Sequence, residues 1–143
     1  MSRLLLLAED NPTDEKLTLR ALKKSGLANQ VVVVRDGPEV LDFLFGTGAF
    51  QGRDVSHLPA VLLLDLNLPR MDGLEVLERI RANERTRPLP VVMLTGSKEA
   101  EDIARSYSLH ANAFVSKPVD FEHFIDAIRQ IDNFFLTLVC LPG

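Results

Sequence analysis

The chain has one cysteine, Cys140, so it forms no internal disulfide and offers none of the cysteine spacings that hold zinc. Its three histidines, His57, His110 and His123, make no pair and carry no motif. The opening "MSRLLLLAED" has an apolar run too short for a secretory signal and meets two acids at once. No stretch reaches the ~18 consecutive apolar residues of a membrane span. Basic charge is not in excess: 16 Lys and Arg against 20 Asp and Glu give a net charge of −4, whereas nucleic-acid binders show a basic face. The cluster Arg79, Arg81, Arg85, Arg87 is interleaved with Glu78 and Glu84 and reads as a solvated helix end. Internal repeats and low-complexity tracts are missing too. These absences leave a cytoplasmic chain for which neither nucleic acid nor membrane is an expected partner.

What remains is the composition of an ordinary globule, 46% hydrophobic and 25% charged over 143 residues. That length fits one domain able to bury roughly 68–70% of its unfolded surface. Short apolar runs alternate with helical periodicity. "LLLLA" (4–8), "VVVV" (31–34), "AVLLL" (60–64), "VVML" (91–94) and "AFV" (113–115) are candidate strands. None shows polar alternation, as befits parallel strands covered on both faces.

Leu17, Leu19, Ala21 and Leu22 mark a first helix from about Pro12 to Gly26, and Val40, Leu41, Phe43 and Leu44 a second that stops at Gly46. Leu74, Val76, Leu77 and Ile80 mark a third, Ala100, Ile103 and Ala104 a weaker fourth, and a fifth begins near Phe121. Five strand–helix repeats joined by right-handed crossovers give an α/β doubly wound sandwich of the flavodoxin-like (βα)5 type. The expected strand order is 2-1-3-4-5, which sets the ends of strands 1 and 3 side by side. The connection "GTGAFQGRDVSHLP" (46–59) is long for a compact domain; it is either a surface insertion or a partner contact.

In "AVLLLDLNLPRMDG" (60–73), five apolar residues run straight into Asp65. Burying an unpaired carboxylate is costly, so Asp65 must lie at an edge, have partners, or both. Strand 1 ends at Glu9 and Asp10, strand 4 at Thr95 and strand 5 at Lys117-Pro118, and in a parallel sheet all these ends share the edge where ligands bind. Two like charges about 4–5 Å apart repel by about 3–4 kcal/mol at an effective dielectric of about 20. Three acids therefore need a proton or a cation, and an oxygen-only site suits Mg²⁺. Lys117 supplies one countercharge. Any one of these residues alone is most often a strand-end cap or a surface charge. Together they suit phosphoryl transfer, which needs positioning and charge neutralisation: Asp65 attacks as a carboxylate nucleophile, while Mg²⁺, Lys117 and the Thr95 hydroxyl each take a phosphoryl oxygen.

The segments "LLAEDN" (6–11), "LLLDLNLPRMDG" (62–73), "VVMLTGS" (91–97) and "AFVSKP" (113–118), with their spacing, resemble the receiver domain of two-component response regulators over nearly the whole chain. The resemblance implies that Asp65 is the phosphoacceptor. It implies that Asp10 holds Mg²⁺ directly and Glu9 through water, and that the backbone carbonyl of Asn67 completes the metal shell. Thr95 then matches the switch hydroxyl, Lys117 the phosphate-binding lysine, and Pro118 a cis-proline, although only about 5–6% of X–Pro bonds are cis. Phe114 matches the aromatic that swings inward behind Thr95; its plain alternative is a strand-5 core or rim residue. Gly96 leaves room for a phosphoryl donor.

The tail departs from the generic family. Apolar positions Phe124, Ile125, Ile128, Ile131, Phe134, Phe135, Leu138 and Val139 keep helical spacing for 19 residues from Phe121, about 28 Å of helix. The chain is thus expected to be a single receiver domain, 1–143, with 133–143 as an apolar C-terminal extension. Apolar groups reaching beyond the core mark a contact surface. Phe134, Phe135, Leu138 and Val139 are the expected interface of a homodimer, the alternative being a tail folded back on its own domain.

The ending "FFLTLVCLP" and the long 46–59 connection also resemble the response regulators paired with bacterial phytochromes. That likeness implies a light-sensing histidine kinase as phosphoryl donor. No output domain is expected after Gly143, so the output is a binding event or a relay step, and the chain is a signalling domain rather than an enzyme acting on a separate substrate. A non-phosphorylated interaction module of the same fold is one rival. An aspartate-based phosphatase is another, but it needs a second acid where Asn67 stands. A nucleotide-binding flavodoxin-like protein is the weakest, because "EDNPTD" replaces a glycine-rich loop.

Overall fold

The computed structural model describes residues 4–26, 30–96 and 111–129. Five parallel strands, β1 (Leu4–Ala8), β2 (Gln30–Val34), β3 (Val61–Asp65), β4 (Val91–Thr95) and β5 (Ala113–Ser116), form one sheet in the order β2-β1-β3-β4-β5, the order expected from the sequence. The described helices are α1 (Pro12–Ser25), α2 (Gly37–Phe45), α3 (Gly73–Ala82) and α4 (Phe121–Arg129). The helix expected around Ala100–Ala104 and the apolar extension 133–143 lie outside the described residues.

Local chemistry sets where the helices begin. Asn11 caps α1 by accepting from the Asp14 N–H at 3.0 Å, with Pro12 at the first position. Asp36 does the same for Glu39 in α2, and Asp72 for Glu75 in α3. Each cap satisfies an N–H left unpaired in the first turn. Gly26 and Gly46 close α1 and α2 in the left-handed conformation, with φ of 67° and 68°, which costs glycine little.

Alternation along the strands divides the core in two. Leu6, Leu62, Leu64 and Met93 pack with Val40, Leu44, Leu77 and Ile80 of α2 and α3. Leu5, Leu7, Leu63 and Leu94 pack with Leu22 of α1 and Phe124 of α4. With both faces covered, β3 and β4 are buried along their whole lengths, and only their C-terminal edge is left for polar chemistry.

The 46–59 connection is tied down. It holds a short 3₁₀ turn, Gly48–Phe50, whose Phe50 ring meets Phe43 edge-on at 5.0 Å. Arg53 lies 3.9 Å over the Phe43 ring and donates to the Phe43 carbonyl at 2.7 Å. Arg85 donates to the carbonyls of Val55, at 2.7 Å, and Leu44. The reading of the arginine cluster as a solvated helix end holds for Arg79 and Arg87, which are exposed, but is corrected for Arg85 and Arg81, which are partly buried. Arg81 likewise donates to the carbonyls of Arg87 and Leu89 and to Asn112 Oδ1, and burial lowers its pKa. Arg81 and Arg85 thus donate to backbone carbonyls at the end of α2 and in the loops before β3 and β4, a role their interleaving with glutamates gave no sign of.

Candidate functional site

Strand register brings the polar ends together. Ala8 is level with Leu64, Asp65 with Leu94, and Thr95 with Ser116, so Glu9, Asp65, Thr95 and Lys117 all emerge at one edge. Glu9 is fully buried and Asp65 2% exposed. Asp10, beside them, is exposed. Asp65 therefore has both an edge and partners.

The principal partner is Lys117. Its ammonium donates to Asp65 Oδ2 at 2.9 Å, Asp14 Oδ2 at 3.1 Å and Glu9 Oε2 at 3.2 Å. Burial alone would lower the lysine pKa, but hydrogen bonds and charge from Asp65 and Glu9 outweigh it and raise the value above that of a free lysine. Glu9 moves in the costly direction. Burial first, then the hydrogen bond and charge of Asp65, push its pKa from 4.5 up to about 7 against the pull of Lys117. One cation does not neutralise this group of acids, and burial beside Asp65 favours the protonated form of Glu9.

Carboxylate oxygens of Glu9, Asp10 and Asp65 all lie within 4.8 Å of one another. Glu9 Oε1 is 3.0 Å from the Lys117 ammonium but off its hydrogen-bonding directions, and this buried oxygen has no donor. An all-oxygen cluster with an unsatisfied buried carboxylate oxygen fits a hard divalent cation. Among the described residues it is the only group of three or more metal-ligating side chains so placed.

The other expected residues flank this cluster. The Asn67 N–H donates to Asp65 Oδ1 at 3.2 Å, folding the loop back over the carboxylate. The buried Thr95 hydroxyl donates to the Gly96 carbonyl at 2.8 Å, and no described residue beyond its chain neighbours comes within 4 Å of where a β-carbon on Gly96 would sit. Phe114 is partly buried and packs against the α2–α3 side of the core. The Lys117–Pro118 peptide is cis, and the Lys117 N–H donates to the Thr95 carbonyl at 2.8 Å. Phe134, Phe135, Leu138 and Val139 fall outside the described residues.

Two residues escaped the sequence reading. Asp14 is one; the signal available was an acid in the first turn of the helix that leaves the site's own edge. Gly73 is the other. A β-carbon there would sit 2.4 Å from the Asp65 carbonyl oxygen and 2.9 Å from the Leu66 α-carbon, so the start of α3 rests directly on the backbone that carries Asp65.

Comparison with known proteins adds an independent line. The family model of the response regulator receiver domain matches residues 5–129. Response regulator Rcp1 of Synechocystis is 36% identical over 141 residues, covering 99% of this chain and 94% of that protein. Its Mn²⁺-bound crystal structure superposes with a TM-score of 0.76 at 35% identity, covering 99% of each chain. The bacteriophytochrome response regulator AtBRR is 53% identical with a TM-score of 0.83, over 92% of this chain and 93% of that one. The phosphorylated cyanobacterial phytochrome response regulator RcpA is 35% identical with a TM-score of 0.78, over 100% of both chains.

Proposed function

Because the chain belongs to the response regulator receiver domain family, and so is a phosphoacceptor of two-component signalling, we propose that Asp65 is its acceptor. On this reading a carboxylate oxygen of Asp65 attacks the phosphorus of a phosphohistidine on the kinase. The P–O bond forms as the P–N bond breaks, and the imidazole nitrogen leaves with the electron pair. The observation that carries the reading is the convergence of Glu9, Asp10, Asp65 and Lys117 at one strand edge, with Lys117 already 2.9 Å from Asp65.

Glu9, Asp10, Asp65 and the Asn67 carbonyl would hold Mg²⁺. When bound, the ion supplies charge neutralisation for the transferring phosphoryl oxygens. Lys117 exchanges its Asp65 partner for a phosphoryl oxygen. The Thr95 hydroxyl leaves the Gly96 carbonyl for another, and Phe114 follows into the space vacated. That shift changes the surface around β4 and β5 and with it the choice of binding partner. The names of AtBRR and RcpA support a phytochrome-type histidine kinase as donor. The apolar spacing of Phe134, Phe135, Leu138 and Val139 supports a homodimer through residues 133–143. No described helix is long and apolar enough to cross a membrane, and we place the protein in the cytoplasm.

Incubation with acetyl phosphate and Mg²⁺, read by intact mass, tests the acceptor. The wild-type chain gains one phosphoryl group that hydroxylamine removes, and Asp65→Asn gains none. Phosphate on Asp65→Asn from the same donor would show the assignment to be wrong.

A further inference from the structure

A lysine ammonium has three N–H donors, and those of Lys117 go to three different carboxylates: Asp65, Glu9 and Asp14. On the function proposed above, two of these partners have other duties. Asp65 becomes esterified, and Glu9 belongs to the acidic group suited to the cation. Asp14 does neither. It stands on the first turn of α1, outside the Glu9–Asp10–Asp65 group, with its side chain 27% exposed and Oδ2 3.1 Å from the ammonium.

We propose that Asp14 is a positioning residue, a fixed tether for the Lys117 ammonium that is kept while its other partners are drawn away. The inference rests on Asp65 being the acceptor. A lysine side chain is a point charge on a four-carbon flexible stem, and if its only anchors were groups consumed or recruited by the reaction, it would lose its place when a phosphoryl oxygen needs it. An anchor on a neighbouring helix keeps one ammonium donor committed to α1 throughout and leaves the other two, now on Asp65 and Glu9, available to a phosphoryl oxygen. Asp14 is itself well held, because its N–H is bonded to the Asn11 cap at 3.0 Å. The competing account is that Asp14 serves only α1, as an acid near the positive end of a helix.

A double-mutant cycle with acetyl phosphate as donor at saturating Mg²⁺ separates the two. Asp14→Asn keeps the shape and the backbone cap but loses the charge, and it slows phosphorylation about fivefold, as expected for one charged hydrogen bond at a part-exposed site. Asp14→Glu, which keeps the charge, recovers most of the rate. Mg²⁺ affinity, read by fluorescence or calorimetry, changes less than about twofold in both. In a Lys117→Ala background, Asp14→Asn changes the rate by less than about twofold, since residues acting through one partner are not additive. Equal slowing by Asp14→Asn in both backgrounds, or no slowing by Asp14→Asn where Lys117 is intact, overturns the tether and leaves Asp65 as acceptor. A wild-type chain that takes no phosphate overturns the acceptor reading and the tether together.

Discussion

Lys117 Nζ and Asp65 Oδ2 are 2.9 Å apart although β4 lies between the strands that carry them. The lysine thus arches over the end of β4 and closes the site from the far side. Its side chain is only 17% exposed and it serves the fully buried Glu9 as well as Asp65. Lys117→Ala leaves two buried carboxylates without a cation, and the metal-free protein loses about 3 kcal/mol, as when one partner of a buried pair is removed. Urea denaturation with and without Mg²⁺ checks this. The deficit shrinks when Mg²⁺ is added, because Lys117→Ala spares the acids that bind it, while phosphorylation is impaired. A deficit independent of Mg²⁺ would mean that the ammonium and the cation do not share the same acids.

Glu9 gives the protein a pH dependence whose sign is opposite to that of an ordinary salt-bridged acid. Its pKa rises from 4.5 to about 7 on folding, so between these values the folded chain holds a proton that the unfolded chain has lost. The stability this contributes is complete below pH 4.5 and is lost as the pH climbs through about 7. Metal-free protein therefore becomes less stable across that window, and its Mg²⁺ affinity rises, because the cation requires the deprotonated carboxylate. Denaturation midpoints in chelator at successive pH values follow the trend, and Glu9→Gln flattens it. A slope that survives Glu9→Gln belongs to another group.

The fold and most of this site are legible in the sequence for a simple reason. Continuous apolar runs such as "VLLLD" (61–65) announce strands buried on both faces, and parallel strands necessarily end at one edge. Residues at those ends, Glu9, Asp65, Thr95 and Lys117, are therefore placed by topology before any side chain is built. Asp14 is not, because whether a first-turn acid faces the site depends on the rotation of α1 against the sheet. Gly73 is hidden for a related reason: the approach of α3 to the Asp65 carbonyl is a matter of backbone distance, to which apolar periodicity is blind. Arg85 reaches the carbonyls of Leu44 and Val55 across 41 and 30 residues of chain, a long-range partnership that local charge patterning does not encode.

Gly73 supports the site by having no side chain. Its N–H donates to the Leu66 carbonyl at 3.0 Å, and a β-carbon at 2.4 Å from the Asp65 carbonyl oxygen has no room unless backbone moves. Gly73→Ala is expected to destabilise the fold by about 1–3 kcal/mol, the range for overpacking. It also shifts the Asp65 backbone, so the phosphorylation rate falls even where the protein is still folded. Comparing the rate with the folded fraction from circular dichroism separates these effects. A rate that tracks the folded fraction alone would show that α3 can yield without moving Asp65.

On the proposed function, pairing through residues 133–143 is a route by which the phosphoryl signal would leave the domain. Phe134, Phe135, Leu138 and Val139 continue the helical spacing begun at Phe121, and apolar side chains carried past a domain's own core are stable in water only when something covers them. A second copy of the same extension is a covering surface of matching chemistry, engaged once the concentration exceeds the dimer Kd, and a two-fold pairing closes without exposing a new patch. The full chain is therefore expected to be a dimer by light scattering and a chain truncated after Asp132 a monomer. Repeating both with Mg²⁺ and beryllofluoride asks whether the phosphoryl site biases the pairing, which it does if the shift of Thr95 and Phe114 alters the β5 edge that leads into α4. A full-length chain that is monomeric in every condition would mean that the extension covers its own domain, and the output surface would then lie on another face.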